Sequence, residues 1–203
     1  MACVLLFMDM SRIRRLIVWL GRIGRCRGFG VQSPWAYRMV RYVINEHYPY
    51  YAYSRLREAF PHLGVEERKI CELCLRLANS VRPATVAVSG AVSDALRNYI
   101  SAGYRKVVFA EAYDMTDDSP MCSIEMAVIA PNREMDGAFE AVSRGARDGT
   151  VAMLLDIYRD KAMRRLWRDT VTRMPGVVTF DLYYCGLVFF DRKRYKQNYI
   201  INF

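Results

Sequence analysis

No run of apolar residues in this chain approaches the roughly 18–20 that a membrane-spanning helix requires, which argues against a helical membrane protein. The opening stretch MACVLLFMDM is apolar, but no basic residue precedes it and no small-residue cleavage site follows. That pattern argues against a secretory signal peptide and for a cytoplasmic protein. Histidine is scarce as well: His47 and His62 are the only two. Neither stands at a ligand spacing from Cys71 and Cys74, so this CxxC lacks the second ligand pair of a zinc site, and no metal is expected. The six cysteines are scattered through a chain too large to need disulfide stapling. Around the CxxC, VEERKICELCLRLANSV puts Ile70, Leu73, Cys74 and Leu77 on one helical face, where cysteine serves as a small buried hydrophobe. Internal repeats and low-complexity segments are also missing.

What is present describes a globular protein. Hydrophobic residues make up 53% of the 203 and charged residues 25%, enough apolar surface for a full core and too little net charge for disorder. Lys and Arg number 30 against 21 Asp and Glu, a formal charge of +9, which favours encounter with polyanions but says nothing of fold. Much of that excess is local. In SRIRRLIVWLGRIGRCRGFG, six arginines (12, 14, 15, 22, 25 and 27) alternate with Ile13, Leu16, Ile17, Leu20 and Ile23 at helical spacing. The simplest role for such a helix is to dock its Ile/Leu stripe on the domain with arginines in water. A dimer contact, an anionic membrane surface and a nucleic-acid backbone are the other readings.

Gly28 and Gly30 end that helix, and Ser33-Pro34 reads as an N-cap followed by proline at the first helical position. A second helix is predicted over about 34–46. The aromatic loop HYPYYAY and the short helix SRLREAF, stopped by Pro61, follow. The tyrosines at 48, 50, 51 and 53 either pack a helical cap on the domain or line an acceptor or base-stacking pocket. After a helix at 65–80 the pattern changes to Val- and Ile-rich runs alternating with helices: TVAVSG, helix 92–102, KVVFAEA, IEMAVIA, helix 135–147, VAMLLDI and helix 160–173. Nearly continuous apolar runs suit strands of a parallel sheet buried on both faces. GVVTFDLYYCGLVFF then reads as an antiparallel hairpin, and YKQNYIINF as a last edge strand. The fold class is therefore α/β: a doubly wound Rossmann-like sheet ending in an antiparallel hairpin, over 65–203, preceded by an N-terminal helical extension over 1–64.

Three stretches carry a resemblance to a known family. GFGVQSPWAYRMVRYVI (28–44) resembles the G-x-G-[VI]-H-S-P-F-x-[YF] segment of a bacterial family of small class I S-adenosylmethionine (SAM)-dependent methyltransferases. TFDLYYCGLVFFDRKRYKQNYIINF (179–203) is similar to that family's hairpin and last strand, and LLDIYRDKAMRRLWRDTV (154–171) to its DDI-x-x-S-x-E-M-x-x-A-W segment. The resemblance implies SAM as cofactor, held by the turn at Ser89 and Gly90 and by Glu111, whose carboxylate would accept from the ribose hydroxyls. It offers Asp156 and Asn132 as the weak catalytic candidates, and an unidentified small-molecule or macromolecular acceptor.

Five departures from the family pattern stand against an active site. Ala87 replaces the acid before the cofactor loop, and Gly90 is that loop's only glycine, where glycine's conformational freedom normally lets a ligand approach. Only AYDMTDDSPMCS separates Glu111 from the next apolar run, too short for the helix and strand expected there. IAPNR (129–133) keeps the asparagine of the family's IDGNH but neither its aspartate nor its histidine, and Asp156 stands where two aspartates are usual. A degenerate homologue acting as a binding or assembly module, an active methyltransferase, and a nucleic-acid or anionic-surface binder are the functional readings. For the single residues the bland alternatives stay open: Gly90 as an ordinary turn glycine, Glu111 as a solvated acid, Asp156 as a helix N-terminal acid.

Overall fold

The structure is a computed structural model that describes residues 13, 16–25, 30–112 and 124–203. The opening apolar stretch, Gly28 and nearly all of the short segment after Glu111 lie outside the described residues. Residues 16–22 are helical and run into a 3-10 turn, Ile23–Arg25. Helix α1 (Pro34–Met39) starts as its sequence predicts: Ser33 Oγ accepts from Ala36 N–H, and Pro34 takes the first turn. It continues as a π-helical turn, Val40–Ile44. Helices α2 (Ala52–Ala59) and α3 (Val65–Val81) follow. The Glu67 carboxylate accepts from Gly64 N–H at 3.1 Å to begin α3, and Arg82 in the left-handed region, followed by Pro83, ends it.

The remainder alternates as the apolar runs predict: β1 (Thr85–Ser89), α4 (Asp94–Gly103), β2 (Val108–Glu111), β3 (Met126–Ile129), α5 (Met135–Gly145), β4 (Val151–Leu155), α6 (Lys161–Arg173), β5 (Val177–Asp181), β6 (Cys185–Phe190) and β7 (Gln197–Ile200). The seven strands form one sheet in the order β2-β1-β3-β4-β6-β5-β7. β2, β1, β3 and β4 pair in parallel, β6 is antiparallel to both β4 and β5, and β7 is parallel to β5. This is a doubly wound, Rossmann-like sheet closed by an antiparallel hairpin, with the last strand added at the hairpin edge.

Alternation along each strand divides the core into two layers. Val86, Val88, Met126, Val128, Met153, Phe180 and Leu187 face α1, α2, α3 and α4. Ala87, Ala127, Ile129, Ala152 and Leu154 face α5 and α6. The residues of α1 and α2 join the first layer directly: Ala36 and Val40 are fully buried, and Trp35 packs edge-on against Phe189. Gly103 lets α4 lie against α3, since a Cβ there would stand 2.2 Å from the Leu75 carbonyl oxygen.

A buried arginine ties the N-terminal helices to α3. Arg76 donates to the carbonyls of Val43 (2.6 Å) and Ile44 (3.0 Å) and to Tyr53 Oη (3.0 Å). No carboxylate is among these partners. The charge instead meets the negative end of the helix at 34–44. Tyr53 is thereby a packing residue, in ring contact with Tyr50, while Tyr48 and Tyr51 are exposed. Cys71 and Cys74 are core residues, Cys74 Sγ lying 3.4 Å from Met153 Sδ. Burial pushes the Cys71 thiol up to about 12 and raises Cys74 as well, opposite to what a thiolate nucleophile or ligand requires.

The amphipathic segment sits the other way round from the simplest expectation. Ile13, Leu16, Ile17, Leu20 and Ile23 are between 51% and 63% exposed, whereas Arg22 turns inward and pairs with Asp181 at 2.9 Å. Among the described residues, no helix is long and apolar enough to cross a membrane.

Candidate functional site

β1, β2, β3, β4 and β5 all run in one direction, so Ser89, Glu111, Ile129, Leu155 and Asp181 end on one rim of the sheet. In open α/β sheets, ligands bind outside this rim, where the strand order reverses. Here that point lies between β1 and β3, because the chain goes from β1 to β2 on one side and on to β3 on the other.

Three sequence candidates meet at this point. Gly90 adopts φ +80°, a conformation that favours glycine, and Val92 N–H bonds back to its carbonyl at 2.9 Å. Across from it, the Asn132 amide nitrogen donates to Ser89 Oγ (3.0 Å) and to the Ala130 carbonyl (2.9 Å). Its oxygen accepts from Glu134 N–H at 2.6 Å. Both amide protons and the acceptor are therefore engaged within the protein. The Ser89 carbonyl accepts in turn from Ala130 N–H at 2.9 Å. A Cβ on residue 90 would come within 2.6 Å of the Asn132 nitrogen and 3.0 Å of the Ala130 oxygen. The space that a lone glycine opens above the β1 turn is taken by the Asn132 side chain.

Glu111 stands beside this turn, in register with Val88 on the neighbouring strand. Its carboxylate faces the Arg97 guanidinium of α4 at 3.5 Å, both groups about a third exposed, and Arg97 also lies over the Phe109 ring. Asp156 is separate, two strands further along at the end of β4. It adopts φ +52°, its N–H donates to the Tyr184 carbonyl at 2.7 Å, and its own carbonyl accepts from Arg159 N–H. The residue is exposed overall, yet desolvation of its carboxyl raises its pKa against the pull of Arg159. Asp160, not Asp156, caps the following helix, accepting from Met163 N–H at 2.9 Å. Ser89, Gly90 and Asn132 thus come together, Glu111 borders them, and Asp156 does not join them.

Sequence reasoning missed the group at the other end of the rim. Asp181 ends β5 with its carboxylate nearly buried. It accepts from Arg22 (2.9 Å), from the Tyr158 hydroxyl and from Tyr183 N–H (2.9 Å). Arg22 also reaches the carbonyls of Asp181 and Ile201 and lies over the Tyr183 ring, which stacks on Tyr158. Burial raises the Tyr158 phenol to about 12, with the hydrogen bond to Asp181 and that carboxylate's charge adding to it. Next to this cluster, a cavity of about 440 Å³ opens between the segment at 16–22, the start of α3 and the hairpin turn, lined among others by Trp19, Lys69, Tyr183, Tyr184 and Phe203. The one sequence signal for this end was the aspartate in TFDLYY ahead of the tight turn. Nothing in the arginine-rich helix singled out Arg22.

No protein-family model matches the chain, and no curated protein does. Among solved structures, it is similar in fold to the SAM-bound O-methyltransferase TomG of Streptomyces achromogenes, involved in tomaymycin synthesis (13% identity, 71% of this chain and 91% of that one, TM-score 0.49). It is likewise similar to the S-adenosylhomocysteine (SAH)-bound methyltransferase PaMTH1 of Podospora anserina (10%, 79% and 97%, 0.48) and to a Bacillus cereus O-methyltransferase in complex with SAH (12%, 73% and 94%, 0.48).

Proposed function

We propose that this protein keeps the frame of a class I methyltransferase but has closed its cofactor cleft with its own Asn132, and that it works as a binding or assembly module. The sequence resemblance over 28–44, 154–171 and 179–203 and the strand order support the frame. The closure rests on one observation: the Asn132 amide, with all its hydrogen bonds made, fills the space over Gly90 at the strand-order reversal. SAM is the cofactor that this frame implies, and on this reading the closed turn no longer admits it. Its amino-acid end needs the room that Asn132 occupies, Ala87 offers no acid for its ammonium, and the Glu111 carboxylate already faces Arg97.

The test is calorimetric titration of the full chain, stripped of co-purified ligand, with SAM and with SAH. The expected result is no heat at millimolar ligand from folded protein. Micromolar binding that disappears in Glu111→Ala would overturn the reading. An active methyltransferase is the second reading, favoured by the cavity beside Tyr183 and Tyr184 on the same rim as Glu111, a place where an acceptor could sit. It predicts methyl transfer from SAM in an acceptor screen, and measured turnover would replace the first reading with this one.

A further inference from the structure

The N-terminal segment presents its apolar face to solvent and its polar face to the protein. At about 100° per residue, Ile13, Leu16, Ile17, Leu20 and Ile23 gather in an arc of about 120°, while Val18 and Arg22 fall on the opposite side. The exposures follow this division. The five arc residues are half exposed or more, with Trp19 at 47% on their edge, and the Arg22 side chain is only 13% exposed. The Arg22–Asp181 pair fixes the orientation, because rotating the segment to bury its stripe would pull Arg22 from a carboxylate and two carbonyls. Single exposed apolar residues need no explanation, but a contiguous set of this kind marks an interaction surface.

We propose that this face docks the protein on an anionic lipid bilayer, with the Ile/Leu stripe in the headgroup–acyl boundary and the flanking arginines against lipid phosphates. Charge complementarity selects this occupant. Apart from Arg22, which is held inward by Asp181, the sequence around the stripe carries arginines at 12, 14, 15, 25 and 27 and no acid, in a chain of +9, and Arg25 is exposed at its end. A second copy docked stripe to stripe would set arginine-rich flanks of two such chains against each other. A nucleic acid would take the arginines but offers no apolar surface to the stripe. A bilayer supplies both, an apolar layer beneath a negative one, and needs no complementary groove to receive one helix lying flat. Each arginine near an anionic surface multiplies partitioning by about fivefold, and the attraction decays within about 10 Å at 0.1 M salt.

The experiment is co-sedimentation of the full chain with vesicles of phosphatidylcholine alone or with 30% phosphatidylglycerol, alongside tryptophan emission. The expected result is partitioning at least about tenfold stronger onto the anionic vesicles, with a blue-shifted emission that is absent in Trp19→Phe. The double variant Ile17→Glu/Leu20→Glu changes two exposed positions, so its thermal midpoint stays while its partitioning falls by about tenfold or more. Equal binding to both vesicle types, or none, overturns the proposal. So does a dimer in sedimentation equilibrium that the double variant abolishes, which would assign the stripe to a second copy. Tighter binding to duplex DNA than to vesicles, unaffected by the double variant, overturns it in favour of nucleic acid. If only a variant lacking residues 1–10 binds vesicles, the chain's own first residues cover the stripe, and the proposal fails in that way too.

Discussion

The two ends of one sheet rim differ in what fills them. At the β1–β3 end, a neutral amide bonds across to Ser89 and stands where a Cβ on residue 90 would point. At the β5 end, a nearly buried carboxylate gathers an arginine, a phenol and a backbone N–H, and a cavity opens alongside. The first end is where a doubly wound sheet ordinarily takes its ligand, and here the half-buried Asn132 amide stands against the exposed Gly90 turn. The second is ordinarily a closing hairpin, and here it anchors the N-terminal segment and holds a buried charge pair. The nearly buried charge pair and the cavity both lie at the hairpin end, whereas the Glu111–Arg97 pair beside the Gly90 turn is partly exposed.

Breaking the charged end is expected to cost most. Asp181→Ala strands Arg22 and leaves the Tyr158 hydroxyl and Tyr183 N–H without their acceptor. Loss of one partner of a buried pair costs about 3 kcal/mol when the other can still swing towards water. Urea denaturation would read it, and amide exchange would show residues 16–25 opening before the sheet. A loss under about 1 kcal/mol would mean that the pair positions the segment without stabilising it, and the contrast between the ends would weaken.

The neutral end is expected to break more gently and through sterics. Gly90→Ala combines a strained φ with a clash against Asn132, about 2 kcal/mol in all. In an Asn132→Ala background the same substitution should cost about 1 kcal/mol, since the strain stays and the clash goes. That double-mutant coupling, measured from denaturation midpoints, reports directly on Asn132 filling the space above the turn. Strict additivity would place the amide elsewhere in solution.

The periodic features were legible before the structure. Ser33-Pro34 began a helix as its pattern predicted, the Val/Ile runs became parallel strands, and YKQNYIINF supplied the edge strand β7. Each follows from local spacing, which a sequence carries. The site was legible only as separate residues. Gly90 and Asn132 were each noticed, but that one fills the other's space depends on β1 and β3 lying side by side. Arg22 failed for a related reason. Amphipathic spacing tells which residues share a face, and it does not tell which face meets the protein. The single long-range pair with Asp181 decides that, against the hydrophobic pattern.

Asn132→Ala alone should cost about 1 kcal/mol, less than either change above. Water can replace its bonds to the partly exposed loop, and calorimetry on this variant also asks whether the emptied space admits SAM. Heat on adding SAM to Asn132→Ala, with none for the unchanged chain, would identify the amide as the block.

The last comparison separates the ends by pH. The Tyr158 phenol is raised from 10.0 to about 12, so between those values the folded state holds a proton that the unfolded state has released. Stability from this group is complete below pH 10 and is lost as pH rises through 12. Cys71, raised from 9.0 to about 12, and Cys185, raised by burial, add losses of the same sign that begin nearer pH 9. Tyr158→Phe should therefore flatten the alkaline fall above pH 10 and leave its onset in place, read as thermal midpoint against pH. Ser89, Gly90 and Asn132 carry no group that titrates in this range, so Asn132→Ala should leave the limb parallel to that of the unchanged protein. A limb that steepens in Asn132→Ala would tie the two ends together energetically, and the rim would then have to be treated as one coupled surface.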